Sequence, residues 1–144
     1  MKDIKIILFL CNWGPYTAYQ TLQDKEGKIP TEIKMVRIPC TGRISKALLF
    51  KAFEMGADGV ALVGCKSGTC RYGSGTANAI INTEDTRDIL ELLGIGKNRM
   101  QFSTFLPDEA EPLLLFLENF CKDIKKIGPS PVKPATIQNQ EKPC

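Results

Sequence analysis

The chain alternates short apolar runs with longer stretches whose apolar residues recur every three or four positions, and this alternation restricts the fold more than any other feature. Residues 5–10 (KIILFL), 32–38 (EIKMVRI), 59–64 (GVALVG) and 101–106 (QFSTFL) read as strands. Residues 16–25, the stretch from Ile44 to a stop at Gly56 and Asp58, and residues 77–93 read as helices. In the third helix Ile89, Leu90 and Leu93 are expected to form the late apolar face, with Gly94 as its stop. A last helix is expected behind Pro107, with Asp108 as cap, Pro112 in its first turn, and Leu113, Leu117, Phe120, Ile124 and Ile127 as a core-facing stripe.

Strand and helix in strict turn predict an α/β three-layer sandwich around a mainly parallel sheet of four to five strands. The 144 residues suffice for one domain with its own core, assigned to residues 1–128. Residues 129–144 hold four prolines and few apolar side chains, so an extended C-terminal tail is expected. Right-handed crossovers put all strand C-termini along one edge, and such edges are where parallel sheets build their sites.

The first three runs reach that edge at a cysteine: Cys11 after the first, Cys40 after the second, Cys65 after the third, with Cys70 following after four intervening residues. Adjacent strands lie about 4.8 Å apart, so thiolates at equivalent ends can converge on one small object. Four thiolates suit a [2Fe–2S] or [4Fe–4S] cluster, and they suit a structural zinc as well. Arg43 and Arg71 stand beside these cysteines as countercharges for an anionic cluster, and Lys66 lies in the same stretch. Cys121 falls beside the apolar stripe of the last helix and reads as a small buried hydrophobe, while Cys144 lies in the tail.

Residues 65–71 (CKSGTCR) also fit the C-x₅-R loop of cysteine-dependent phosphatases and arsenate reductases. There Cys65 is the nucleophile, Arg71 the phosphate clamp and Asp108 the general acid. That reading assigns no role to Cys11 or Cys40. The chain has no histidine, which excludes Ser-His-Asp and Cys-His catalysis and any zinc site with a histidine ligand.

A formal charge of +3 without a basic face argues against a nucleic-acid partner, and no run is long enough to span a membrane. With no leader-like start, six cysteines point to a reducing cytoplasmic setting and metal or redox chemistry.

The segments FLCNW (9–13), PCTGRI (39–44), KAFEMGADGVALVGCKSGTCRY (51–72) and IGP (127–129) together resemble the delta subunit of methyl-viologen-reducing hydrogenase. That resemblance implies a flavodoxin-like fold. It also implies a [2Fe–2S] cluster held by Cys11, Cys40, Cys65 and Cys70, with Arg43 and Arg71 nearby. The implied role is electron relay, with no turnover of its own. The partners would be a hydrogenase, formate dehydrogenase or similar oxidoreductase on one side and the flavin-bearing A subunit of heterodisulfide reductase on the other, in an electron-bifurcating complex. A cluster-free or zinc-bound adaptor is the alternative within the same assembly. The chain departs from the family pattern at Gly14, where a further cysteine is usual, and at Arg71, where histidine is common. Trp13, Pro15 and Tyr16 are expected in an exposed partner-binding loop.

Overall fold

The computed structural model describes residues 4–11, 14–24, 29–40, 44–65 and 75–132. Strands and helices alternate along it: β1 (Ile6–Cys11), α1 (Gly14–Asp24), β2 (Ile33–Ile38), α2 (Lys46–Glu54), β3 (Gly59–Gly64), α3 (Gly75–Leu92), β4 (Met100–Thr104) and α4 (Ala110–Ile127). A single turn of 3₁₀ helix, Lys97–Arg99, leads into β4.

Among the described residues the sheet has four strands in the order β2-β1-β3-β4, and every pairing is parallel. The reversal of order at β1 and β3 is the flavodoxin-like pattern, so the expected α/β sandwich is the observed one. Helices cover both faces. Leu8 and Leu10 of β1 pack with Leu22 of α1 and Leu113, Leu117 and Ile124 of α4, whereas Phe9 and Leu62 pack with Leu49 and Phe53 of α2 and Leu90 of α3. β3 is therefore buried along its whole length, which is why its sequence is an unbroken apolar run. Each such Leu or Val contributes about 1.5–3 kcal/mol over leaving it in water.

Local chemistry sets the element ends. Ser45 caps α2, its hydroxyl accepting from the Leu48 amide at 3.1 Å. Gly56, at φ 105°, closes the same helix in a conformation other residues resist. Gly59 begins β3 directly beneath α4, where an added Cβ would stand 2.8 Å from Ile124 Cγ1.

Several expectations are corrected. α4 begins after Glu109, not Asp108. The Glu109 carbonyl accepts from the Leu113 amide and its carboxylate accepts from the Leu106 amide at 2.7 Å, a longer side chain reaching back where a short cap was expected. Ile127, at the end of the stripe and the last residue of α4, is 45% exposed. In α3 the buried face is Ala79, Thr83, Thr86 and Leu90, while Ile89 faces outward and Leu93 is exposed in the turn just past the helix. Thr86 is tolerated there because its hydroxyl donates to the Asn82 carbonyl at 2.7 Å. Trp13 and the tail from residue 133 lie outside the described residues. Pro15 and Tyr16 do not form an exposed loop: both lie in the first turn of α1, Pro15 is buried, and the Arg37 guanidinium covers the Tyr16 ring at 3.9 Å.

Residues 129–132 follow α4 to the end of the sheet opposite the cysteines. Buried Arg99 donates to the carbonyls of Ile95, Asp58, Gly128 and Pro129 at 2.8–3.0 Å. The Asp58 carboxylate accepts from the amides of Lys5 and Ser130, each at 2.8 Å.

Candidate metal centre at the strand ends

Parallel pairing in register makes the geometry of the cysteine edge a consequence of strand length. β1 lies between β2 and β3, with Cys11 level with Ile38 and Leu10 level with Val63. Cys11 therefore ends the central strand, Cys65 follows one residue beyond β3, and Cys40 stands two residues beyond β2. The Gly64 carbonyl beside Cys65 accepts from the Phe105 amide at 3.1 Å, which fixes the backbone at that point.

The sulfurs of Cys11 and Cys65 lie 3.4 Å apart, although 54 positions separate them in sequence. The Cys11 sulfur is also 3.9 Å from the Pro39 carbonyl, which places the Cys40 segment on its other side. Cys11, Cys40 and Cys65 are 2%, 2% and 4% exposed, and none forms a disulfide. A small hollow of about 110 Å³ lined by Ile38, Cys40, Ile44 and Leu48 opens beside Cys40.

Two thiolates bound at about 2.3 Å to one tetrahedral ion stand about 3.8 Å apart. The Cys11–Cys65 separation is close to that, so the pair can take up a shared metal with a shift of a few tenths of an ångström. Thiolate ligands of this kind suit iron–sulfur clusters and zinc alike. Among the described residues no three His, Cys, Asp or Glu side chains meet in a metal-binding group. Cys70, Arg43 and Arg71, and with them the C-x₅-R loop after Cys65, lie outside the described residues. Asp108, the general acid of the phosphatase reading, stands in the turn before α4.

Cys121 sits apart from this edge, in the core between α4 and the sheet, 4% exposed. Burial, with the Glu32 carboxylate adding to it, pushes its thiol pKa up and leaves it a weak ligand or nucleophile. Glu32 itself pairs with Lys125 at 2.7 Å, and that hydrogen bond holds its carboxyl below the usual range. Neither this triplet nor the Arg99 cluster was signalled by sequence spacing, because Glu32 in the one and Asp58, Gly128 and Pro129 in the other come from distant parts of the chain.

No helix among the described residues is long and apolar enough to cross a membrane. The family described as methyl-viologen-reducing hydrogenase, delta subunit, matches residues 6–128. The iron-sulfur D subunit of the vhc F420-non-reducing hydrogenase of Methanococcus voltae is 33% identical over 132 residues, covering 92% of each chain. The corresponding vhu iron-sulfur D subunit of Methanocaldococcus jannaschii is 31% identical over 131 residues, 91% of this chain and 98% of that one. A third similarity is of another kind. The A subunit of the ferredoxin/F420H2-dependent CoB-CoM heterodisulfide reductase of Methanosarcina acetivorans is 27% identical over 124 residues, which are 86% of this chain and 16% of that longer protein.

Proposed function

Because the chain belongs to the family of the delta subunit of methyl-viologen-reducing hydrogenase, we propose that it is a small electron-transfer subunit carrying one [2Fe–2S] cluster on Cys11, Cys40, Cys65 and Cys70. It relays electrons between a hydrogenase, formate dehydrogenase or similar oxidoreductase and a flavin-containing, heterodisulfide-reductase-type A subunit, in an electron-bifurcating complex. Residues 1–128 are the cluster-binding unit and 129–144 an appended segment. The observation that carries this reading is the approach of Cys11 to Cys65 at 3.4 Å on neighbouring strand ends. The names of the relatives support the iron–sulfur content and the link to hydrogenase and heterodisulfide reductase, since they are iron-sulfur subunits of hydrogenases and the A subunit of a heterodisulfide reductase.

When bound, the cluster supplies a one-electron carrier. The chain's own residues do the remaining work. β1 and β3 fix the two sulfurs through a register shared by five paired positions, so little reorganisation is needed on loading. Near-complete burial of Cys11, Cys40 and Cys65 keeps water from the sulfurs. Arg43 and Arg71, close in sequence to Cys40 and Cys70, serve as countercharges.

Anaerobic isolation followed by reductive titration tests this function. It predicts about one electron taken up per chain, with about two irons and two acid-labile sulfides. A colourless chain that retains zinc instead would overturn it.

A further inference from the structure

One face of the sheet is covered only in part. Partners in register on parallel strands point to the same side, so Ile7 with Lys34 and Phe9 with Val36 share the face on which α2 packs. α2 buries Leu49 and Phe53 in the core it shares with β3 and α3, while Ile7 of β1 and Ile38 of β2 pack against that core only partly buried. Between α2 and β1 runs a groove of about 240 Å³ whose walls include Ile7, Phe9, Leu48 and Met55, with Lys5 and Lys51 at its rim. Val36 and Leu48 are 41% and 44% exposed. Leu48 also lines the hollow at Cys40, so the groove leads to the cysteine edge.

Among the described residues that line it, the charged ones are both lysines. Lys5, Lys34 and Lys51 are exposed, and none forms an ion pair among the described residues. Glu54, on the same helix, does not line the groove, and the Asp58 carboxylate is committed to two backbone amides. An apolar floor with a lysine rim selects apolar side chains flanked by carboxylates. Residues 133–144 do not match this, with Lys133 and Lys142 against one carboxylate side chain, Glu141. We propose that the groove seats an apolar, carboxylate-flanked segment of the A-type partner, which is thereby held against Cys40. This rests on the electron-relay reading above. The groove is smaller than a stable interface requires, so it orients a contact that continues over the cysteine edge.

The test is binding of the cluster-loaded full chain to a recombinant A-type partner of the heterodisulfide-reductase kind, followed kinetically at about 50 and about 300 mM salt. The variants are Lys34→Glu with Lys51→Glu, Leu48→Asp, and Lys122→Glu on the exposed side of α4 as control; all are surface changes, and circular dichroism verifies folding. The double charge reversal is expected to slow association about tenfold at low salt and to flatten the salt dependence. Leu48→Asp is expected to raise the dissociation rate about tenfold, and Lys122→Glu to change neither. Wild-type affinity in both groove variants overturns the inference while leaving the electron-relay reading standing. If wild type fails to bind the A-type partner, that reading loses its acceptor and the inference falls with it. Self-association that the same substitutions abolish would assign the groove to a second copy, against this inference.

Discussion

Arg99 donates to the carbonyl of Asp58 at 3.0 Å while the Asp58 carboxylate holds the amides of Lys5 and Ser130, so two side chains join four parts of the chain at the pole opposite the cysteines. The guanidinium also reaches Gly128 and Pro129. Planar, multiply donating geometry is what lets one residue serve these acceptors, and lysine cannot reproduce it. Arg99→Met is expected to lower the unfolding free energy by about 3 kcal/mol, and Arg99→Lys to recover less than half of that. Urea denaturation measures both; a loss below about 0.5 kcal/mol would mean the cluster is incidental.

Gly59 is required by α4. A methyl group there would meet Ile124 Cγ1 at 2.8 Å and Cδ1 at 2.9 Å. Gly59→Ala is expected to cost about 1–3 kcal/mol through overpacking. In the double variant with Ile124→Ala the costs are expected to be less than additive, because the second change removes the clash that the first creates. Strict additivity in a denaturation cycle would argue that the two do not touch.

The Glu32–Lys125 pair gives stability a pH dependence of known sign. The folded state holds the Glu32 carboxyl below its ordinary 4.5, so its contribution is complete above that value and is lost as pH falls through the lower folded one. Lys125 is raised by the same partner, so its contribution persists through neutral pH and fades only in strong alkali. Wild type is therefore expected to lose more stability than Glu32→Gln between about pH 5 and pH 3. Parallel melting curves for the two across this range would show that the pair contributes nothing.

The strand ends and their cysteines were legible in sequence because β1 and β3 are short runs bounded by glycine or cysteine, and parallel topology then dictates where they finish. The placement of Cys121 in the core followed from its spacing after Leu117. α3 was harder. Its outward Ile81, Ile89 and Leu92 are as apolar as its buried Leu90, and half of the inward face is threonine, so periodicity found Leu90 but misplaced Ile89. Arg99 reads as a surface charge in a polar turn, since nothing local indicates that acceptors at Asp58, Gly128 and Pro129 will close around it. The groove beside α2 was equally invisible, because its walls come from two segments of the chain some forty positions apart, around β1 and along α2.

Iron and acid-labile sulfide content, read with the visible spectrum of anaerobically isolated protein in a cysteine-to-serine series, tests the central claim most directly. Cys11→Ser and Cys65→Ser are each expected to abolish or markedly shift the chromophore, because each removes half of the 3.4 Å pair, whereas Cys121→Ser, in the core away from the strand ends, is expected to leave it unchanged. A chromophore that survives both Cys11→Ser and Cys65→Ser unaltered would contradict the account.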